Sequence, residues 1–341
     1  MKVITFGELL LRLASPGYTK LMQKDYLETS FCGGEANVAV SLAVFGVKSL
    51  YVTKLPLNDI GRAAENSLRY FGVDTSKVVY GDGRMGLYYL EKGASQRPSK
   101  VIYDRSFSAI SLAKTDDFDW DSIFCEGDWF HFTGITPAIS DNAARICEIA
   151  CKAAKSRGVK ISCDLNYRKQ LWSEDKARGV MTKLMPYVDV CIANEEDIQK
   201  MLGICVNNTD VEKGKLDIDS YCRVAKGICN IYGCEYVAIT LRKSYSASIN
   251  GWSALFYDHK NDTVNVSKEY DIQLVDRVGG GDSFSAGIIY GLISKESDKN
   301  IIEFAVAASC LKQSMEGDFN RSSVDDVKSL MNGGGSGRVL R

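Results

Sequence analysis

Short apolar runs alternate with amphipathic stretches along most of the chain, and the spacing of the apolar positions separates the two kinds. The runs Lys2 to Phe6, Ser49 to Lys54, Trp129 to Phe132, Lys160 to Asp164, Val188 to Ala193 and Tyr236 to Leu241 have the length and content of buried strands. Between them, Ala36 to Phe45, Gly61 to Phe71, Asp141 to Ser156, Asp175 to Met185 and Asp219 to Cys229 read as helices. In Asp141 to Ser156, Ala144, Cys147, Ile149, Cys151 and Ala154 fall near helical spacing, so a face of mostly small residues is expected to lie close on a sheet. Repetition of strand, helix and strand predicts an α/β fold with a parallel-rich sheet flanked by helices.

Two regions break the alternation. Leu9 to Phe31 and Gly86 to Phe107 carry period-two aromatic and aliphatic patterns separated by Gly, Ser and Pro, which suits antiparallel strands. Both are expected in one small sheet projecting from the main body, placed as a lid. With 341 residues, one catalytic domain over residues 1–330 can include that attachment. The segment from 331 to 341, with Asn332-Gly333-Gly334-Gly335-Ser336-Gly337, has linker composition and is expected to be a disordered tail.

Charged residues make up 25% of the chain and nearly cancel, with a formal net charge of −1. No basic surface is therefore available to hold nucleic acid by counterion release. Of the eleven cysteines, Cys147, Cys151, Cys163, Cys191 and Cys310 sit inside apolar runs and no C-x-x-C occurs, so free thiols in a reducing compartment are expected. The N-terminal segment lacks the basic and long apolar regions of a signal peptide, and no run approaches the ~20 apolar residues that span a bilayer. A soluble cytoplasmic protein with no membrane partner is the expectation. With only His131 and His259, and no paired cysteine ligands, a zinc site is not expected.

The densest chemical signal is Asp276-Arg277-Val278-Gly279-Gly280-Gly281-Asp282, which runs straight into Ser283-Phe284-Ser285-Ala286-Gly287-Ile288. Consecutive glycines can turn their N–H groups toward one point, and a helix starting there adds a positive dipole end, which together make a socket for a phosphoryl group. Asp282 stands at the rim. A carboxylate beside an anion site is unfavourable unless it has a task, and accepting a proton from a hydroxyl that attacks phosphorus is such a task. The same segment also suits a glycine turn with Asp282 as helix cap, and both readings stand on these residues alone. A second motif, Cys32-Gly33-Gly34-Glu35-Ala36-Asn37, puts two glycines before a small-residue helix, with Asn37 offering both donor and acceptor.

The two motifs, in this order and separation, resemble the signatures of the ribokinase-like (PfkB) carbohydrate kinases, and the resemblance runs from Met1 to about residue 330. Within that family, Arg277 to Phe284 and Asp164-Leu165-Asn166-Tyr167-Arg168 look most like 2-keto-3-deoxygluconate kinases, although most relatives have Thr and Ala at Arg277 and Gly280. The resemblance implies a Rossmann-like core, a β-sheet lid that also serves as a homodimer contact, ATP with Mg²⁺, and γ-phosphate transfer to a primary hydroxyl. It makes Asp282 the general base and gives the N–H groups of Gly279, Gly280 and Gly281 the transferring phosphoryl group. Gly33, Gly34 and Asn37 then contact a small-molecule sugar acid, with Asn166 and Arg168 from the Asp164 to Arg168 segment. A guanidinium at Arg168 offers a planar fork to a carboxylate, whereas a neutral sugar would leave that charge unpaired. Tyr103 and Arg105 resemble lid contacts to the acid end, with Tyr88 or Tyr89 close by.

On the nucleotide side, Asn194-Glu195-Glu196-Asp197 resembles an N-x-x-E element that organises Mg²⁺ and phosphate through water. Its fourth position is Asp197, one methylene shorter than Glu, so Glu195 or Glu196 is expected to share the task. Thr240-Leu241-Arg242-Lys243-Ser244 stands where many relatives place a K-x-G-x-x-G loop, leaving Thr240 and Arg242 or Lys243 as nucleotide contacts. A kinase of a neutral sugar and a non-catalytic sugar-binding regulator are the alternatives. A dinucleotide-dependent oxidoreductase lacks its fingerprint, because Gly7-Glu8-Leu9-Leu10 follows the first strand and Phe284 stands where a third glycine belongs. A P-loop kinase lacks G-x-x-x-x-G-K-[ST].

Overall fold

A computed structural model of the chain describes residues 1–205 and 217–334. Its strands are β1 (Val3–Phe6), β2 (Leu10–Ala14), β3 (Glu28–Cys32), β4 (Ser49–Pro56), β5 (Val78–Gly81), β6 (Gly86–Glu91), β7 (Lys100–Asp104), β8 (Trp129–Thr133), β9 (Lys160–Asp164), β10 (Val190–Ala193), β11 (Tyr236–Ser244), β12 (Ile249–Asp258), β13 (Thr263–Val266) and β14 (Tyr270–Gln273). Every apolar run expected as a strand forms one, and every expected helix is present within a few residues of its expected ends.

The main sheet has ten strands in the order β13-β12-β11-β10-β9-β8-β1-β4-β5, with β14 pairing beside β13 on β12. From β5 across to β11 the pairs are parallel. Successive side chains along these strands point to opposite faces, and the core divides accordingly. Ile4, Phe6, Cys191, Ala193, Val237 and Ile239 join one apolar cluster, with the helices Asp141–Ser156, Glu174–Leu184 and Ile218–Tyr232. Val3, Val190, Ile192 and Ala238 join the other, with Gly34–Val44, Gly280–Ile293 and Asp298–Gln313. The chain winds outward from β1 through β4 on one side and from β8 through β9, β10 and β11 on the other. The direction of winding therefore reverses between β1 and β8, and in open α/β sheets a ligand binds outside the carboxyl ends of the strands at such a point.

The small sheet has the order β3-β2-β6-β7 and joins both regions that broke the alternation. It is mixed rather than antiparallel: β2–β3 and β6–β7 are antiparallel, but β2 and β6 run parallel. The connection from β3 to β6 passes through the main body, so β2 and β6 leave it in the same direction and no hairpin joins them. The sequence reading also missed the antiparallel edge formed by β12, β13 and β14. Nearly every residue of β12 is buried, so its apolar and polar positions do not alternate as an edge strand's would.

All eleven cysteines are unpaired. Among the described residues no helix is long and apolar enough to cross a membrane. The helix Val324–Met331 takes up the start of the segment expected as a disordered tail, Asn332 to Gly334 follow it as a turn, and residues 335–341 lie outside the described residues.

Candidate active site

A cavity of about 480 Å³ opens at the carboxyl ends of β1, β8, β9, β10 and β11, on the side where the winding reverses. Glu8, Ile135, Asp164, Asn166, Arg168, Asn194, Asp197, Thr240 and Arg242 reach its wall directly from those strand ends, because a loop that leaves a parallel strand must emerge at that edge. Leu10, Cys32, Tyr88, Val101 and Tyr103 of the small sheet form the facing wall.

The glycine run closes the third side. Gly279 has φ 81° and is the N-cap of the helix Gly280–Ile293, and a Cβ there would lie 2.2 Å from the carbonyl oxygen of Asp318, so both the turn and its packing demand glycine. Gly281 lines the cavity and has no atom within 4 Å of the position its Cβ would take. A helix's first N–H groups have no acceptor within the helix, so these are available to an anion. Asp282 follows, buried at the cavity wall, and its Oδ2 accepts a 2.6 Å hydrogen bond from Asn37 Nδ2. The Oδ1 of Asn37 in turn accepts from the Gly33 N–H at 3.3 Å, which fixes the amide's orientation. Burial raises Asp282 to about 7, against the lowering effect of the Asn37 hydrogen bond.

The other charges are arranged around that carboxylate. Burial also raises Asp164, helped by Asp197 and Asp282, and it raises Asp197 to about 6 despite Arg168. Asp197 Oδ1 accepts from the Tyr167 N–H at 2.9 Å. Asn166 lines the same cavity with φ 43°, in the left-handed region that Asn tolerates better than most non-glycine residues. Arg168, Arg242 and Arg277 bring positive charge to the same cavity. Beneath the glycine turn, Arg12 of β2 binds Asp276 at 2.6 Å and also binds Asp318, while Tyr88 donates to Asp318 at 2.8 Å. This buried set ties the small sheet to the loop that carries Asp282. A pre-formed anion socket, a proton acceptor with a raised pKa, and cations on the same cavity wall are what phosphoryl transfer to a hydroxyl requires.

Comparison with known proteins agrees. Residues 1–322 match the pfkB family carbohydrate kinases. The chain belongs to that family. A 2-dehydro-3-deoxygluconokinase from Thermotoga maritima is 47% identical and superimposes with a TM-score of 0.93, covering 98% of this chain and 100% of that one. A 2-dehydro-3-deoxygalactonokinase from Haloferax volcanii is 30% identical over 98% of each chain. A 2-dehydro-3-deoxygluconokinase from Bacillus subtilis is 27% identical over 94% of this chain and 92% of its own.

This PfkB kinase brings most of the sequence-derived residues into one cavity: Gly33, Gly34, Asn37, Tyr88, Tyr103, Arg105, Asn166, Arg168, Asn194, Asp197, Thr240, Arg242, Gly279, Gly281 and Asp282 all line it. Gly280 does not line it, because its α-carbon faces Gln313 and its N–H turns toward the Arg277 carbonyl, 3.4 Å away. Tyr89 falls on the opposite face of β6 from Tyr88 and leaves the site. Glu196 is exposed and outside the cavity because the helix Glu195–Leu202 rotates it to solvent, whereas Asp197, one position on, faces inward. Lys243 pairs with Glu269 at 2.7 Å and leaves Arg242 as the cation at this edge. The Asn194 side chain caps that helix by accepting from the Asp197 N–H at 2.9 Å. Arg105 lines the cavity, yet its Nε lies 2.7 Å from Glu8, so its charge is already matched.

Sequence reasoning missed Glu8, Arg12, Glu35, Asp164 and Asp318. Glu35 is buried and takes hydrogen bonds from Thr133 at 2.7 Å and Thr136 at 2.5 Å, holding the loop after β8. For Glu8 and Asp164 a signal existed, since each stands at or just beyond the end of an apolar strand. For Arg12 and Asp318 none did.

Proposed function

We propose that the chain is an ATP-dependent 2-keto-3-deoxygluconate kinase, transferring the γ-phosphate to the primary hydroxyl of the sugar acid. The observation that carries this reading is the buried Asp282 carboxylate, held by Asn37 beside the Gly279–Gly281 turn, in a cavity that also holds Arg168. The names of the Thermotoga, Haloferax and Bacillus relatives support the substrate class. Residues 1–330 form the catalytic unit on this reading, with the small sheet as its lid, and the cytoplasm supplies the ATP.

Asp282 takes the proton of the acceptor hydroxyl as its oxygen approaches phosphorus, and a pKa near the working pH suits that exchange. The N–H groups of Gly279 and Gly281 meet the charge spread over the transferring oxygens. Asn194, Thr240 and Arg242 hold the nucleotide, and Gly33, Gly34, Tyr103 and Asn166 flank the acceptor. Among the described residues no group of three or more His, Cys, Asp or Glu side chains forms a metal site by itself. Mg²⁺ in kinases is held by nucleotide phosphates and water with one or two carboxylates, and the buried, cavity-lining Asp197 fits that donor set. Bound there through water, the ion would neutralise phosphate charge.

The matched charge of Arg105 favours a second reading, a neutral sugar as acceptor, unless Arg168 supplies the missing cation. Among the described residues Arg168 makes no ion pair, and its Nη1 donates only to the Tyr167 carbonyl at 2.9 Å. A coupled ADP-release screen over 2-keto-3-deoxygluconate, 2-keto-3-deoxygalactonate, fructose and ribose separates the two. The acids are expected to be preferred, and Arg168→Ala to raise their KM by about 10–100-fold, the worth of one charge-assisted hydrogen bond. Preference for fructose or ribose, indifferent to that substitution, would establish the second reading.

The lid is also proposed as a dimer contact. Strand β7 is an edge of the small sheet, and Ile102, Phe107 and Leu112 are 54%, 73% and 41% exposed around a shallow cleft beside it. Exposed edges and apolar side chains of this kind favour pairing with a second copy. Sedimentation is expected to give the mass of two chains for the wild type and of one for Ile102→Glu/Phe107→Glu. A wild-type monomer would refute it.

A further inference from the structure

We infer that Glu8 is a specificity-determining residue of the acceptor site, one oxygen fixing Arg105 and the other receiving a hydroxyl of the bound sugar acid. This rests on the sugar-acid reading above. Glu8 lies just beyond β1 at the point where the winding reverses, and is 4% exposed. Its Oε2 is 2.7 Å from Arg105 Nε and 2.5 Å from Arg105 Nη2, so the pair spans from the main sheet to the end of β7. Its Oε1 is buried with no hydrogen-bond partner among the described residues.

That orphan oxygen separates this pair from an ordinary buried salt bridge. A carboxylate taken out of water is stable only when its lone pairs are met, and Oε1 is left unmet among the described residues on a side chain that lines the cavity. The groups around it are apolar or small: a Cβ on Gly86 would lie 2.6 Å from Oε1 and 2.6 Å from Leu10 Cδ2. A ligand hydroxyl is the donor class that would complete the carboxylate. Arg105 retains other N–H donors, because a guanidinium has five. The negative charge of Glu8 opposes an anionic ligand, so its presence on the wall is a cost unless it reads something. Arg168 lines the same cavity as Glu8, so a chain with a carboxylate at one end and hydroxyls further along can engage Arg168 and Glu8 together. Sugar acids that differ in one hydroxyl configuration would then be told apart at Glu8, since a site built around a substrate hydroxyl rejects the analogue that misplaces it.

The test compares wild type, Glu8→Gln and Gly86→Ala on 2-keto-3-deoxygluconate and 2-keto-3-deoxygalactonate. KM and kcat are measured for each acid and for ATP, with thermal unfolding and calorimetric binding of the acid alone. Glu8→Gln keeps the shape but removes the charge, and Gly86→Ala presses on Oε1 without touching the charge. Each is expected to raise KM for the preferred acid about tenfold, and to compress the ratio of kcat/KM between the two acids by a similar factor. The KM for ATP should stay within about twofold, with kcat falling less than KM rises. An unchanged ratio between the acids in both variants would overturn the inference, as would losses that track a lowered melting temperature and a raised ATP KM. Turnover of neither acid by the wild type is a different failure, and removes the sugar-acid reading itself.

Discussion

Asp282→Asn is expected to lower kcat by roughly 10³–10⁴-fold while leaving both KM values within about threefold, the range for removing a general base that acts only in the transition state. The substitution keeps the size of the side chain and an oxygen for Asn37 Nδ2, which now bonds Asp282 Oδ2 at 2.6 Å. Only the ability to take a proton is lost. Steady-state ADP release checks it, and a variant within tenfold of wild-type kcat would remove Asp282 from proton transfer.

The same group sets a pH dependence of both activity and stability. Burial raises Asp282 from 3.8 to about 7, so kcat/KM should fall with unit slope below that value, where the base is protonated in the free enzyme. Stability runs the other way. Between those two pH values the folded chain holds a proton that the unfolded chain has released, so this group's contribution is fully present below the unfolded value and is lost as pH rises through 7. Asp164 and Asp197 are raised by burial too and act in the same direction. At pH 8 the wild type therefore carries an ionised carboxylate that its surroundings disfavour, and Asp282→Asn should melt higher as well as turn over more slowly. If Asp282 is the base proposed above, catalytic need and folding stability are opposed at this position.

Much of this site was legible because its parts are local. A glycine run before a helix declares its own geometry, and an apolar strand followed by polar residues places those residues at the sheet's carboxyl edge. Gly279, Gly281 and Asn37 could thus be named without coordinates, and Arg168 through the family resemblance. What failed depended on rotation or on distance. Whether Tyr88 or Tyr89 faces the cavity turns on the pleat of β6, and whether Glu196 or Asp197 does so turns on a rotation of about 100° along a helix. The parallel pairing of β2 with β6 needs the path of the chain between them. The partners of Arg12 lie 264 and 306 residues away, and no pattern within either segment points to the other.

Arg12→Met is expected to be the most destabilising single substitution at the site, by about 3–5 kcal/mol. Arg12 is 3% exposed and serves two carboxylates, Asp276 and Asp318, that are equally buried. Their charges hold the guanidinium's pKa above its ordinary value even though burial itself lowers it. Methionine fills similar space, so the loss is chiefly electrostatic: two carboxylates 3% and 4% exposed would remain, with only the Tyr88 hydroxyl, backbone N–H groups and the nearby Lys312 to meet them. The expected fall in melting temperature is on the order of 5–10 °C. Function should suffer beyond stability, because Asp276 also accepts from the Val278 N–H at 3.2 Å and so shapes the turn that presents Gly279 and Asp282. Arg12→Met/Asp318→Asn removes one stranded charge along with the cation, and should recover part of the stability. If the single variant melts within about 2 °C of wild type, the buried ion pairs are not what joins the small sheet to the catalytic turn, and the apolar contacts of Leu10, Ala14 and Cys32 with Tyr88, Leu90 and Val278 must carry that junction instead.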